Sequence, residues 1–102
     1  MQIGCDIVEN KRLKDADQRF IDFVLTEKEK ELYKTYGPNF LTGRFAAKEA
    51  IMKCLNNAKN LSFLDIEILK DKDGSPICNI ENISISISHE KEYTIAVATK
   101  KQ

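Results

Sequence analysis

Polar and apolar positions along the chain alternate first with a period of two. In the opening MQIGCDIVEN, Ile3, Cys5 and Ile7 fall on one side and Gly4, Asp6 and Val8 on the other. That pattern predicts a strand, with Asp6 seated among apolar neighbours where a carboxylate is depleted. Residues 10–24 change to helical spacing, placing Leu13, Phe20 and Val24 near one face and Lys11, Arg12, Lys14 and Arg19 outside. Thr26 followed by Glu29 is a capping-box signature. It predicts a short helix through about Tyr36, closed by Gly37-Pro38-Asn39. A longer helix is predicted from about Phe40 to Leu55, stopping at Asn56-Asn57. Phe63 to Leu69 alternates again, with Leu64, Ile66 and Ile68 on one face. Asp71 to Pro76 forms a turn cluster, and Ile77 to Ile80 can return as a short partner strand. NISISISHEKEYTIAVAT predicts a hairpin. Ile83, Ile85 and Ile87 share a face, His89 to Glu92 turn the chain, and Tyr93, Ile95 and Val97 share a face on the way back. Strand, then helices, then strands indicates the α+β class: a small antiparallel sheet packed with helices.

The Phe40–Leu55 helix carries charges where an amphipathic helix keeps none. With about 100° per residue, Leu41, Phe45, Met52 and Leu55 form one stripe, and Lys48 falls inside it. Glu49 and Lys53 lie one turn apart beside that stripe, flanked by Ala46 and Ala50. A surface helix puts its charges opposite its apolar face. This one predicts that something charged fits against it.

Composition narrows the classes of function. Sixteen basic and sixteen acidic residues give a formal net charge of zero, which argues against a general nucleic-acid binder. An electrostatic partner must be met by a local patch. No repeat or linker divides the 102 residues, so residues 1–102 read as a single domain. Its core is modest enough for oligomerisation to be useful. Cys5, Cys54 and Cys78 are odd in number, far apart and outside any C-x-x-C arrangement, with one histidine in the chain. That is too few soft ligands for zinc, and the three read as buried free thiols of a reducing compartment. No run of about 18 apolar residues and no signal-peptide pattern occurs, so the expected location is cytoplasmic, with no membrane partner.

Asp6 and Glu49 each admit two explanations. Asp6 could guard an edge strand or ligate a metal. Glu49 could pair with Lys53 at i, i+4 or join Asp6. Two half-buried carboxylates without a third protein ligand suit magnesium, which takes one or two carboxylates plus substrate phosphates. Lys48 and Lys53 would then face those phosphates, or else snorkel. Ser84, Ser86 and Ser88 fit the outward face of a half-exposed strand. His89, at the hairpin turn, has no acidic partner fixed in sequence and could donate to a phosphate.

Three segments taken together, GCDIVENKRL, FLTGRFAAKEAIMKCL and SISISHEKEYTIAVA, resemble the holo-acyl-carrier-protein synthases, the bacterial 4′-phosphopantetheinyl transferases of fatty-acid synthesis. VLTEKE at 24–29 is similar to that family's stretch between the first two motifs. The resemblance implies transfer of phosphopantetheine from coenzyme A to a serine of apo acyl carrier protein, releasing adenosine 3′,5′-bisphosphate. It implies Mg²⁺ held by Asp6 and Glu49 on the coenzyme's diphosphate. Lys53 would contact the phosphates, Arg44 and Lys48 would be further contacts, and His89 would reach coenzyme A across a subunit boundary of a homotrimer. Glu49, or a metal-bound water activated by it, would accept the serine proton. Since acyl carrier proteins are acidic, Arg12 and Arg19, seven residues apart on the predicted first helix, become the docking cations.

The chain departs from the family pattern at three places. Asn56-Asn57-Ala58 replaces a glycine-rich turn, Gly74-Ser75-Pro76 replaces Gly-Lys-Pro, and the segment before VLTEKE is short. Two other classes compete. A metal-dependent nuclease would place its glutamate and lysine as E-x-K on a strand, and a non-catalytic module would use the charged helix face only to dock a partner.

Overall fold

The computed structural model describes residues 1–56 and 60–101. In chain order the elements are β1 (Gln2–Glu9), α1 (Gln18–Val24), α2 (Glu27–Tyr36), α3 (Pro38–Cys54), β2 (Ile68–Lys70), β3 (Pro76–Cys78), β4 (Ile83–His89) and β5 (Tyr93–Lys100). One antiparallel sheet has the order β1-β5-β4, and β2 and β3 form a two-stranded sheet. The α+β expectation holds. Among the described residues, no helix is long and apolar enough to cross a membrane.

Local chemistry explains where the elements begin and end. The helix expected over residues 10–24 is broken in two. Asn10–Arg12 is a 3₁₀ turn, and α1 starts only where Asp17 accepts a hydrogen bond from Phe20 N at 2.9 Å. Arg12 and Arg19 are both exposed, but they stand on separate elements and not two turns apart on one helix face. The Thr26–Glu29 capping box forms as expected and opens α2. Gly37, at φ 79°, ends that helix, and Pro38 then starts α3, two residues before the predicted Phe40. Proline is well placed there because a first-turn N–H has no helical partner to lose.

The strand predicted from Phe63 shrinks to its end. Ser62 N and Oγ donate to Asp65 Oδ2 at 2.8 and 3.1 Å, closing a 3₁₀ turn over Phe63–Asp65. Local side-chain hydrogen bonds win over alternation here, and Leu64 is left exposed. The β2–β3 turn forms as predicted, with Asp71 Oδ1 accepting from Asp73 N and Ser75 N. Asn56 adopts φ 54° just past α3. Asn57 and Ala58, the rest of the departure from the family's glycine turn, lie outside the described residues.

α3 is buried on nearly every side. Gly43, Ala47, Ala50 and Cys54 recur at helical spacing and give α3 a face of small side chains toward the three-stranded sheet. The approach is so close that a Cβ on Gly4 would lie 2.2 Å from Ala50 O and 2.5 Å from Cys54 N. On the other side, the Phe45 ring meets Phe20 and Phe63, each at 5.5 Å between centroids.

The sheet thus has one covered and one uncovered face. Gly4 and Val8 of β1, Thr94, Ala96 and Ala98 of β5, and Ile83, Ile85 and Ile87 of β4 face α3. The opposite face carries Ile3, Cys5 and Ile7 beside Ile95 and Val97, with the three serines of β4 outside as well. Ile3 and Ile7 are 69% and 60% exposed. Cys5 is therefore exposed, against the expectation of a buried thiol, whereas Cys54 is buried and Cys78 half-buried.

Candidate active site at the edge between β1 and α3

Asp6 shares the inward face of β1 with Gly4 and Val8, so the glycine contact brings it against α3. Lys53 reaches across from the last turn of α3, its Nζ 3.1 Å from Asp6 Oδ1. It pairs with the strand and does not close on Glu49 one turn back. Glu49 belongs to the same group: burial pushes its carboxyl pKa up, the charge of Asp6 adds to that, and Lys53 opposes both. Lys53 is pushed up in turn, first by its hydrogen bond to Asp6.

Asp6, Glu49 and Lys53 are thus brought together, as the sequence suggested. Two carboxylates that repel one another, offset by one half-exposed lysine, form a site short of positive charge. Among the described residues no group of three or more His, Cys, Asp or Glu side chains is placed to hold a metal ion. The donor set suits a hard divalent cation that keeps waters and takes its remaining oxygens from a phosphate substrate.

Lys48 is corrected. Its ammonium is fully buried and donates to Glu29 Oε1 at 2.7 Å, Val24 O at 2.6 Å and Phe63 O at 3.0 Å. An ammonium has three N–H donors, and all three are used inside the helical layer. No donor remains for a phosphate, so Lys48 joins α1, α2 and α3 and is not a coenzyme contact.

Arg44 is also largely committed. Its Nε and Nη2 donate to Ile68 O and Leu69 O at 2.8 and 3.3 Å, and the guanidinium lies 4.2 Å from the Phe40 ring centroid. Burial pulls its pKa down to about 10, partly opposed by Glu29. It remains a cation at neutral pH, and its main task is to tie β2 to α3.

His89 stands apart from the carboxylates. Asp6 and Ile87 both pair with Ala96 of the central strand, so Asp6 and the end of β4 are separated by two interstrand spacings, roughly 10 Å. The imidazole rests on Gly43, where a Cβ would come within 3.1 Å of Cε1. Its pKa is lowered by burial and then by Arg44 and Lys70. Sequence reasoning missed this surrounding set of Gly43, Lys70, Thr94 and Asn10. The readable signal was Thr94, a polar residue in register with inward-facing Ala96 and Ala98.

Comparison with known proteins places these observations. The family described as the 4′-phosphopantetheinyl transferase superfamily matches residues 2–98. A holo-[acyl-carrier-protein] synthase of Geobacillus sp. (strain WCH70) is 44% identical over 108 residues, covering 92% of this chain and 90% of that protein. A crystal structure of the Bacillus anthracis holo-(acyl-carrier-protein) synthase, in complex with CoA (3′,5′-ADP), superposes with a TM-score of 0.87 at 38% identity. It covers 95% of this chain and 92% of that one. The Helicobacter pylori synthase in complex with coenzyme A gives a TM-score of 0.85 at 34% identity, covering 95% of this chain and 97% of that one. The chain belongs to the 4′-phosphopantetheinyl transferase superfamily, among its holo-[acyl-carrier-protein] synthases.

Proposed function

We propose that this chain transfers 4′-phosphopantetheine from coenzyme A to a serine of apo acyl carrier protein in a magnesium-dependent reaction serving fatty-acid synthesis. The observation that carries this reading is the convergence of Asp6 from β1 with Glu49 and Lys53 from α3, in a chain of this family. The Bacillus anthracis and Helicobacter pylori relatives, crystallised with CoA (3′,5′-ADP) and with coenzyme A, support coenzyme A as the donor.

In the reaction a serine oxygen forms a bond to the phosphorus that bears pantetheine. The P–O bond to the other phosphate breaks, and adenosine 3′,5′-bisphosphate leaves with that bond's electron pair. Asp6 and Glu49 are the residues that would hold Mg²⁺, which when bound neutralises the diphosphate and polarises its phosphoryl oxygens. Lys53, exposed beside Asp6, sets a point charge against the phosphates as negative charge builds on the leaving oxygen. Arg44, whose charge acts on His89, is proposed as a further phosphate contact through the N–H donors that it does not spend on β2. The serine proton has to go to a side chain at hand. Glu49, or a water that it activates, stands at the carboxylate pair and is the acceptor proposed for that proton.

Assembly as a homotrimer, with sites between protomers, completes the reading. The uncovered sheet face bearing Ile3, Ile7 and Ile95 is a contiguous apolar surface of the kind that a second copy covers. In such an assembly His89 is proposed to reach coenzyme A held at the carboxylates of a neighbouring protomer. Arg12 and Arg19 are the exposed cations proposed to receive the acidic carrier, now as a surface built from two elements. Incubation with coenzyme A, magnesium and apo acyl carrier protein should add one phosphopantetheine mass to the carrier. No added mass with any divalent metal would refute the activity.

A further inference from the structure

Asn10, Thr94 and His89 form a hydrogen-bonded series whose direction the surrounding atoms determine. Asn10 Nδ2 donates to Glu90 O at 2.9 Å and Lys91 O at 3.3 Å, carbonyls of the β4–β5 turn. Carbonyl oxygens only accept, so the amide must present its NH₂ to the turn and its Oδ1 to the other side. There Thr94 Oγ1 lies 2.7 Å from Asn10 Oδ1, to which the hydroxyl donates. Thr94 has one hydroxyl proton, and it is spent on Asn10. His89 Nδ1 lies 2.9 Å from the same hydroxyl oxygen. With no proton left to offer, Thr94 must accept, and the proton of that contact belongs to Nδ1.

Thr94 is fully buried beneath the sheet, so water does not readily reverse the series. The ring edge bearing Cε1 and Nε2 lies over Gly43, where a side chain would crowd it. The charged groups acting on the ring are Arg44 of α3 and Lys70 of β2, while β5 offers it the uncharged Thr94. Glu90 follows His89 in the turn after β4.

We propose that Asn10 and Thr94 are positioning residues that hold His89 with its proton on Nδ1, so that Nε2 is the nitrogen presented to coenzyme A. Any further proton the ring takes up beside a coenzyme phosphate then enters at Nε2, making it the donor. The coenzyme half of this inference rests on the transferase reading given above, whereas the tautomer half does not.

Nitrogen-15 NMR of the full-length protein, with the imidazole neutral, tests the tautomer directly. The expected spectrum shows a pyrrole-type Nδ1 and a pyridine-type Nε2. Thr94→Val, which keeps the volume but loses the hydroxyl, should shift both nitrogens toward averaged values, and Thr94→Ser should restore them. A pyrrole-type Nε2 in the parent protein, or unchanged shifts in Thr94→Val, overturns the assignment. In the transfer assay, Thr94→Val should raise KM for coenzyme A about fivefold with kcat nearly unchanged, and Thr94→Ser should recover it. An unchanged KM, or equal losses in both constants without serine rescue, overturns the positioning role. A parent protein that modifies no carrier sinks the transferase reading and the coenzyme half with it, and the spectrum still decides the tautomer.

Discussion

Replacing Lys48 with methionine keeps the aliphatic stem and removes a cation enclosed by the helical layer. The partner left behind is Glu29, also fully buried. Its Oε1 accepts from Lys48 Nζ and Thr26 N, and its Oε2 accepts from Ile68 N at 2.7 Å. In the variant the carboxylate keeps two backbone N–H donors and loses its only buried ammonium contact among the described residues. Val24 O and Phe63 O each lose a donor as well. Breaking a buried pair by removing one partner costs about 3–5 kcal/mol, a large share of the roughly 5–15 kcal/mol that holds a domain together. At about 4–8 °C per kcal/mol for a chain near this size, Tm should fall by roughly 12–40 °C.

Thermal melting followed by circular dichroism, at one fixed protein concentration, reads this effect. Lys48→Met with Glu29→Met removes both charges and should recover much of the loss. It should not recover all of it, because Ile68 N and Thr26 N then lack their acceptor. The opposite result has a distinct signature. A Lys48→Met protein that melts within about 2 °C of the parent, with a raised KM for coenzyme A, would mean that the ammonium faces a ligand, and the structural role assigned to it would be wrong.

Glu49→Gln should abolish turnover yet raise Tm at neutral pH without metal. The folded protein raises the Glu49 pKa above its ordinary value, so its ionised form weakens the fold above that ordinary value and costs nothing below it. The gain should therefore vanish as pH falls below about 4.5; a gain that persists there would refute the linkage. Ile95→Glu, on the uncovered sheet face, should shift the assembly toward monomer in analytical ultracentrifugation and reduce activity with it. An unchanged sedimentation coefficient would place the interface elsewhere. Arg19→Glu should weaken carrier binding several-fold at low salt and much less at high salt, measured by surface plasmon resonance; an unaltered salt dependence would move the docking surface.

Much of the fold could be read from local chemistry wherever a pattern and its punctuation agreed. The Thr26–Glu29 box, the Asp71–Pro76 turn and the final hairpin all formed as expected. The failures have a common cause, a polar side chain that bonds its own backbone neighbours against the periodic signal. Asp17 restarted a helix that the spacing of Leu13, Phe20 and Val24 had made continuous. Asp65 curled a segment whose alternation suggested a strand. The alternation in β1 was read correctly as a strand, but not which face turned inward. Gly4 marks the inward face, because only a residue without a side chain allows β1 to meet the backbone of α3.

The same consideration separates the two charged neighbours on α3. Lys48 and Glu49 are adjacent in sequence, and one residue turns a helix by about 100°. That rotation sends Lys48 between the helices, where Glu29 and two carbonyls take its three protons, and sends Glu49 toward the strand that carries Asp6. Periodicity placed Lys48 within the stripe of Leu41, Phe45, Met52 and Leu55, and that stripe is the one packed against other helices. The small residues Gly43, Ala47, Ala50 and Cys54 mark the other boundary, where a strand can approach. A charge within the stripe of large side chains needs a buried counter-charge to be tolerated at all. A charge beside the small residues lies at an open edge between helix and sheet, where its counter-charge can be a substrate or an ion. The residues available for chemistry are therefore those bordering the small face, Glu49 and Lys53, and Asp6 joins them because Gly4, two residues earlier on the same side of its strand, lets it come close.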